Sequence, residues 1–317
     1  MHVIFFDQDI KKDFGYCLDE IEPLLRHGPV SSRDLSEYRD MDDMVDRLKD
    51  ADVLVVGVSR LSAELLERLP KVRFVQFLGV EPANFVDMGY CARRGIPVGT
   101  TPGYGSNAVA EFAVTLAMAL AKRVTRADRK VKEGHWDITG LLGGEITGSV
   151  FGVVGTGKIG SLAARKAHAL GAQILAFDTR PDEALVSDCG ARYVTLEELF
   201  AGSDFVSLHM ALNDGTRGLV GADLLGRMKP SAFLVNTSRA QVVDYEALYR
   251  SLKEGRIAGA ALDVFPEEPL TDFALGGLEN VIATPHIAYY TDRSNRNLLR
   301  KAVESILRFL EGETANQ

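Results

Sequence analysis

The chain is poor in cysteine, has a single tryptophan, carries no excess of positive charge and contains no long hydrophobic run. Its three cysteines, Cys17, Cys91 and Cys189, are odd in number, widely spaced and in no metal-ligand pattern. That excludes a disulfide framework, implies no metal site and reads as buried thiols in a reducing cytoplasm. With 36 Lys and Arg against 44 Asp and Glu, the formal net charge is −8, which argues against nucleic acid or an anionic membrane as a general partner. The longest apolar run, residues 112–121, is far too short to span a bilayer. The N-terminus passes from Val3 to Phe6 straight into Asp7 and Asp9, a strand and a polar loop rather than a secretion signal. No internal repeat or low-complexity segment is evident. These absences leave an ordinary soluble chain, 46% hydrophobic and 25% charged, whose 317 residues are long for one core and predict two domains.

What is there centres on residues 149–178. Val153 and Val154 lead into Gly155-Thr156-Gly157-Lys158-Ile159-Gly160, helix formers follow over 162–170, and a second apolar run over 173–177 closes at Asp178. That order is strand, glycine turn, helix, strand, acid. Gly155 permits a tight turn out of the strand, Gly157 has no side chain to hold a pyrophosphate off the backbone, and Gly160 lets helix and sheet approach. The helix aims its first amides and positive dipole end at the phosphates. Asp178 stands where a carboxylate accepts the adenosine ribose hydroxyls, about 20 residues on. A glycine turn alone also arises for packing, but the complete unit predicts dinucleotide binding. The charge of Asp178 repels a 2′-phosphate and favours NAD over NADP, although Arg180, two residues on, could reach such a phosphate.

Either side of this unit, strands and helices alternate. Before it the pattern predicts strands at 3–6, 53–58, 74–77 and 96–98, the last an edge strand, with helices at 14–25, 63–69 and 85–94, the last stopped by Gly95. A single long helix is predicted from Ser106 to about Lys132 as a connector between domains. After the unit, strands are predicted at 205–208, 233–236, 258–262 and 281–283, and an amphipathic helix at 291–310. The fold class is therefore α/β with parallel sheets. His209, Thr237-Ser238-Arg239, Asp263 and Thr284-Pro285-His286 all fall just past strand ends, where open parallel sheets bind ligands.

Taken singly, Arg239 reads as a surface charge, Glu268 as a solvated loop carboxylate and His286 as a hydrogen-bonded histidine. Together they make one chemistry. Hydride transfer between a nicotinamide and a carbonyl needs a cation for the substrate carboxylate, an acid for the new alkoxide and a group that keeps that acid charged. A guanidinium grips a carboxylate bidentately, an imidazole titrates near neutrality, and an adjacent carboxylate favours its charged form.

With these motifs in view, the chain resembles the D-isomer-specific 2-hydroxyacid dehydrogenases over nearly its whole length. The residues that carry the resemblance are the glycine fingerprint, Leu208-His209-Met210-Ala211-Leu212, Val235-Asn236-Thr237-Ser238-Arg239, Leu262-Asp263-Val264-Phe265-Pro266-Glu267-Glu268-Pro269-Leu270 and Thr284-Pro285-His286-Ile287. Gly95-Ile96-Pro97-Val98, Thr101-Pro102-Gly103 and Val109-Ala110-Glu111 extend it. The resemblance implies a Rossmann NAD-binding domain, residues 99–286, inserted into a flavodoxin-like substrate domain, residues 1–98 plus 287–317, with the active site in the cleft. It implies that Arg239 orients a 2-oxo acid, that His286 is the acid/base with Glu268 as partner, and that His209, Thr237 and Asp263 join the fingerprint and Asp178 in holding NAD, with Asp263 near the nicotinamide carboxamide. It also implies a homodimer through the long helix and the arm at 136–145.

Departures bear on the substrate. Where the family carries Gly-x-Gly-x-Asp, whose amides bind the substrate carboxylate, this chain reads Leu78-Gly79-Val80-Glu81-Pro82-Ala83-Asn84. Leu78, Gly79 and Val80 remain the expected substrate contacts, but Pro82 removes a donor and Glu81 adds negative charge. Tyr289 and Tyr290 replace the usual small residues after His286, either narrowing the pocket or packing at the domain junction, and Ala211 stands where proline is common. The expected activity is an NAD-dependent D-2-hydroxyacid dehydrogenase run as a 2-oxo acid reductase. Two alternatives stay open: a dehydrogenase of a phosphonate or phosphite-like anion, and a non-catalytic NADH-sensing, corepressor-like protein, the latter disfavoured by the intact trio. A formate dehydrogenase fits less well, since that branch pairs its histidine with glutamine.

Overall fold

A computed structural model describes residues 1–8, 10–33 and 38–312. Asp9 and Gln317 lie outside the described residues. The chain forms two compact units, one of Met1–Gly105 with the chain from Tyr290 onward, the other of Ser106–Tyr289.

The first unit is built on a five-stranded parallel sheet of β1 (Val3–Phe5), β2 (Val30–Ser32), β3 (Val53–Val56), β4 (Phe74–Phe77) and β5 (Val98–Gly99), in the order β2-β1-β3-β4-β5. The central strands are apolar but for the buried Gln76 of β4, because helices cover both faces. Val3, Phe5, Val53, Val55 and Phe74 pack on Leu298, Leu299, Val303 and Ile306 of the C-terminal helix Asp292–Leu310. Ile4, Leu54, Val56 and Val75 face Leu48, Leu65 and Leu66. Thr291, just before that C-terminal helix, caps it by accepting from the Ser294 N–H at 3.2 Å. At the carboxyl end of β1, the buried Asp7 accepts N–H groups from Gly57 at 2.8 Å, Val58 at 2.7 Å and Ser59 at 2.6 Å, fixing the turn after β3.

Two local expectations change in this unit. The helix predicted at 14–25 is helix Ile10–Phe14, a 3-10 segment Gly15–Ile21 and helix Glu22–Leu25, broken where Cys17 takes φ −139°. The segment at 85–94 is helical only as Met88–Arg94, because Asp87 caps it at the Tyr90 N–H, while Pro82–Asn84 make a separate 3-10 turn; Gly95 does end it, at φ 65°. No expectation covers strand β2 or helix Met41–Leu48: β2 is half-buried and Ser-rich, while the helix, capped by Asp40, sets Met41, Met44, Val45 and Leu48 on one face, with Leu48 buried.

The second unit holds a seven-stranded parallel sheet. Its strands are β6 (Val150–Val154), β7 (Gln173–Phe177), β8 (Arg192–Tyr193), β9 (Phe205–Leu208), β10 (Phe233–Asn236), β11 (Gly259–Leu262) and β12 (Val281–Ala283), in the order β12-β11-β10-β9-β6-β7-β8. The order reverses between β6 and β9, the switch point at which such sheets bind ligands beyond the strand ends. The predicted long helix is two helices, Ser106–Ala121 and Val124–Lys132, because Arg123 turns left-handed at φ 56°. The physical division follows composition: Ala110, Ala113, Ala117 and Leu120 are buried in the core, whereas the charged second helix buries nothing. Arg123 stacks its guanidinium over Phe233, 5.6 Å from the ring centroid. Cys17, Cys91 and Cys189 are all buried free thiols. No helix among the described residues is long and apolar enough to cross a membrane.

Candidate active site

The glycine turn sits between β6 and helix Lys158–Ala169. Gly155 takes φ +92°, and a Cβ there would lie 2.9 Å from the His209 carbonyl carbon. A Cβ on Gly160 would fall 1.9 Å from the Gly155 carbonyl oxygen, so helix and turn touch only because that atom is missing. Gly157 faces open space and heads the helix without a side-chain cap. The amides of Lys158 and Ile159 thus begin a 12-residue helix at a place with room for an anion. The opening, the uncapped helix end and the acid beyond β7 fit a dinucleotide.

Asp178 shapes this turn as well as facing it. Its Oδ2 accepts the Thr156 N–H at 2.6 Å and its Oδ1 the Arg180 N–H at 2.9 Å, leaving further lone pairs for a ribose. Thr156 is held on two more sides: Tyr193 donates its hydroxyl to Thr156 Oγ1 at 2.8 Å, and Ser161 donates to the Thr156 carbonyl at 2.7 Å. Tyr193 in turn accepts the Asp182 N–H at 2.8 Å. Across the switch point, His209 Nε2 meets Ser207 Oγ at 2.8 Å, while His209 Nδ1 and Thr237 Oγ1 are buried with no partner among the described residues. Burial lowers the His209 pKa to about 4, so its ring is neutral at physiological pH. Two orphaned polar atoms at neighbouring strand ends are what a polar ligand would satisfy.

Arg239 is placed by Asn236, the fully buried last residue of β10. Asn236 Nδ2 donates to the Arg239 carbonyl at 3.0 Å, and its Oδ1 accepts both the N–H and the hydroxyl of Ser238, at 3.0 and 2.8 Å. Glu268 and His286 come together directly, with Glu268 Oε2 2.7 Å from His286 Nδ1. The other oxygen of Glu268 accepts the Phe265 N–H at 2.9 Å, which orients the carboxylate. Burial acts to raise the Glu268 pKa, but the His286 bond, the Phe265 amide and the charges of His286 and Arg239 outweigh it and hold the carboxyl below its ordinary value. Tyr289 meets the His286 ring edge-on, centroids 6.2 Å apart. Asp263, just past β11, has no exposed surface; it accepts from Thr284 Oγ1, Ile287 N and Ala288 N.

Leu78, Gly79 and Val80 belong to the first unit, after β4. The Leu78 amide already donates to the Val56 carbonyl at 2.8 Å, and the Gly79 carbonyl accepts the Thr101 N–H at 2.8 Å, so of the three only Gly79 and Val80 remain as candidate amide donors. Sequence reasoning gave no role to Asn236, Tyr193 or Ser161. For Asn236 a signal was present: an amide closing an otherwise apolar strand run. Among the described residues no group of three or more His, Cys, Asp or Glu side chains could hold a metal ion.

The profile of the D-isomer specific 2-hydroxyacid dehydrogenase NAD binding domain matches residues 114–288. The chain is 42% identical over 276 residues to the glyoxylate reductase of Korarchaeum cryptofilum, covering 85% of this chain and 83% of that protein. It is 36% identical over 279 residues to the hydroxypyruvate reductase of Thermotoga maritima, covering 87% and 90%. Among solved structures, D-lactate dehydrogenase from Aquifex aeolicus, complexed with NAD and lactic acid, superposes with a TM-score of 0.81 at 29% identity, over 99% of this chain and 96% of that one. The chain therefore belongs to the D-isomer-specific 2-hydroxyacid dehydrogenase family. It is an NAD-dependent oxidoreductase with a Rossmann domain, moving a hydride between nicotinamide and a 2-hydroxy or 2-oxo acid.

Proposed function

We propose that this protein reduces a short 2-oxo acid to its D-2-hydroxy acid, with Arg239 binding the substrate, His286 as proton donor and Glu268 as its partner. The observation that carries the reading is the 2.7 Å contact between Glu268 and His286 Nδ1. Because Nδ1 faces the carboxylate, Nε2 is the nitrogen left to give a proton to the forming alkoxide. The nicotinamide, when bound, supplies the hydride. Arg239 presents a planar cation suited to a carboxylate. Gly155, Thr156, Gly157, Lys158, Ile159, Gly160 and Asp178 hold the dinucleotide, with His209 and Thr237 nearer its reactive end.

A substrate of glyoxylate or hydroxypyruvate size is supported by the relatives that carry those names. Buried free thiols support a cytoplasmic location. A homodimer is supported by Trp136, Ile138 and Leu142, exposed at 91%, 88% and 93% on one arm, since apolar side chains so exposed mark an interaction surface. The decisive measurement is NADH consumption with glyoxylate, hydroxypyruvate and pyruvate. Turnover with at least one is expected. NADH binding without turnover of any 2-oxo acid would overturn the reading in favour of a sensor.

A further inference from the structure

The two-residue edge strand β8 brings Tyr193 beside Ala176 of β7, close to the strand end that carries Asp178. From there a run of hydrogen bonds leads to that carboxylate. The Asp182 N–H donates to the Tyr193 hydroxyl at 2.8 Å, and this hydroxyl donates to Thr156 Oγ1 at 2.8 Å. Thr156 Oγ1 lies 3.4 Å from Asp178 Oδ2, the oxygen that also accepts the Thr156 N–H at 2.6 Å. The direction is fixed at both ends: a backbone N–H can only donate and a carboxylate can only accept, so both hydroxyl protons point towards Asp178. Ser161 closes a ring behind them, its Oγ 2.7 Å from the Thr156 carbonyl and 2.8 Å from Asp182 Oδ2. Thr156 is buried, so its hydroxyl, once deprived of Tyr193, has little solvent to turn to. On its other side Asp178 accepts the Arg180 N–H at 2.9 Å, which pins the carboxylate between the glycine turn and the chain that follows β7.

We propose that Tyr193 is a positioning residue for cofactor selection: through Thr156 its hydroxyl sets the direction of the Asp178 carboxylate, and with it the preference for NADH over NADPH. A carboxylate held in one direction offers its lone pairs to a ribose and its charge against a 2′-phosphate, and one free to swing does both less well. The proposal rests on the reading of Asp178 as the acceptor of the ribose hydroxyls.

Tyr193→Phe keeps the ring and removes the hydroxyl. Its NADH dissociation constant, read by NADH fluorescence, is expected to rise about fivefold, the scale of one hydrogen bond. The dissociation constant for NADPH, read the same way, is expected to stay within about twofold or to fall, since the repelling charge is then free to turn away. An unchanged NADH dissociation constant would overturn the proposal. Equal weakening of both cofactors would overturn it too, since that marks a general loosening of the glycine turn. Added to Asp178→Ala, the same substitution is expected to change NADH affinity by no more than about 1.5-fold, because its target is already gone. A further loss of about fivefold in the double variant would overturn the proposal, since Tyr193 would then act elsewhere. Should Tyr193→Phe fail to fold by thermal melting, Thr156→Val decides: it removes the relaying hydroxyl and keeps the N–H, so NADH affinity about fivefold lower with NADPH affinity kept is expected, and wild-type NADH affinity would overturn it. The two readings fail separately. Wild-type NADH affinity in Asp178→Ala would remove the ribose reading and this proposal with it, whereas a weakened Asp178→Ala beside a wild-type Tyr193→Phe would remove the positioning role alone.

Discussion

In the unit that begins the chain, Asp7 follows β1 and takes three N–H groups from the turn after the neighbouring β3. In the other unit, Asp263 follows β11 and takes two N–H groups and a hydroxyl from the turn after the neighbouring β12. The device is the same: a buried carboxylate satisfying the donors of the next strand's exit turn. What differs is what the turn carries. The 57–59 turn holds no acid or base, whereas the 284–288 turn holds His286 with a carboxylate on its Nδ1. A buried aspartate at a strand end is therefore first a device for shaping backbone, and chemistry begins where the shaped turn bears a titratable group.

The sharpest test of that contrast is His286→Ala, expected to lower kcat on the best 2-oxo acid by about 100- to 10,000-fold, the range of general acid catalysis. Steady-state rates from acid to alkaline pH check it, and loss at one end of the range alone would contradict it. Next comes Arg239→Lys. Losing the bidentate grip is expected to cost about 2 kcal/mol in kcat/KM with NADH affinity kept; near-wild-type kcat/KM would remove the assigned role.

Asp7→Asn probes the other unit. Turning an amide N–H against a buried N–H donor is expected to cost about 1–3 kcal/mol of stability at neutral pH, with NADH binding unchanged. Burial raises the Asp7 carboxyl, against its three amide bonds, so the folded chain holds that proton more tightly than the unfolded one. The contribution is fully present below the unfolded pKa and lost as pH rises through the folded value, so the gap between wild type and Asp7→Asn should widen in acid. Urea midpoints at two pH values measure it. Glu268 has the opposite sign: its folded pKa is depressed, so its contribution is present above the unfolded value and lost as pH falls through the folded one. The stability gap between wild type and Glu268→Gln should accordingly narrow in acid, read from urea midpoints at two pH values; a gap that does not change with pH would return Glu268 to a plain loop carboxylate. The smallest expected effect is in Asp178→Ala, which should relax the preference for NADH over NADPH by about tenfold, on the order of one charge-assisted hydrogen bond. Equal efficiency of the wild type with NADPH would sink that reading.

Much of this was legible in the residues. The strands β3, β4 and β6 to β12 apart from β8 are apolar runs bounded by turn formers, and a run buried on both faces has nowhere else to go. The fingerprint was legible because its glycines answer to backbone constraints that no other residue meets, a left-handed turn at Gly155 and a touching carbonyl at Gly160. Strand β2, three half-buried residues of which two are serines, offers no alternation to read, whereas helix Met41–Leu48 was open to reading, since Met41, Met44, Val45 and Leu48 recur at helical spacing behind the Asp40 cap. The break at Arg123 was also hidden. Helix propensity runs straight through it, and only the demand that an apolar helix stay in the core while a charged one leaves it turns the chain there.

The sequence by itself determined the parallel α/β architecture, the dinucleotide turn and the three ionisable residues that follow strand ends, because these depend on local backbone geometry and on the order of apolar runs. Only the tertiary structure decided how Glu268 and His286, 18 residues apart, meet at 2.7 Å, and that Asp263 spends both oxygens on the turn beside His286. Which donor a carboxylate finds is settled by strand register and by the burial that forces every polar group to be satisfied, and neither is written in any single stretch of chain.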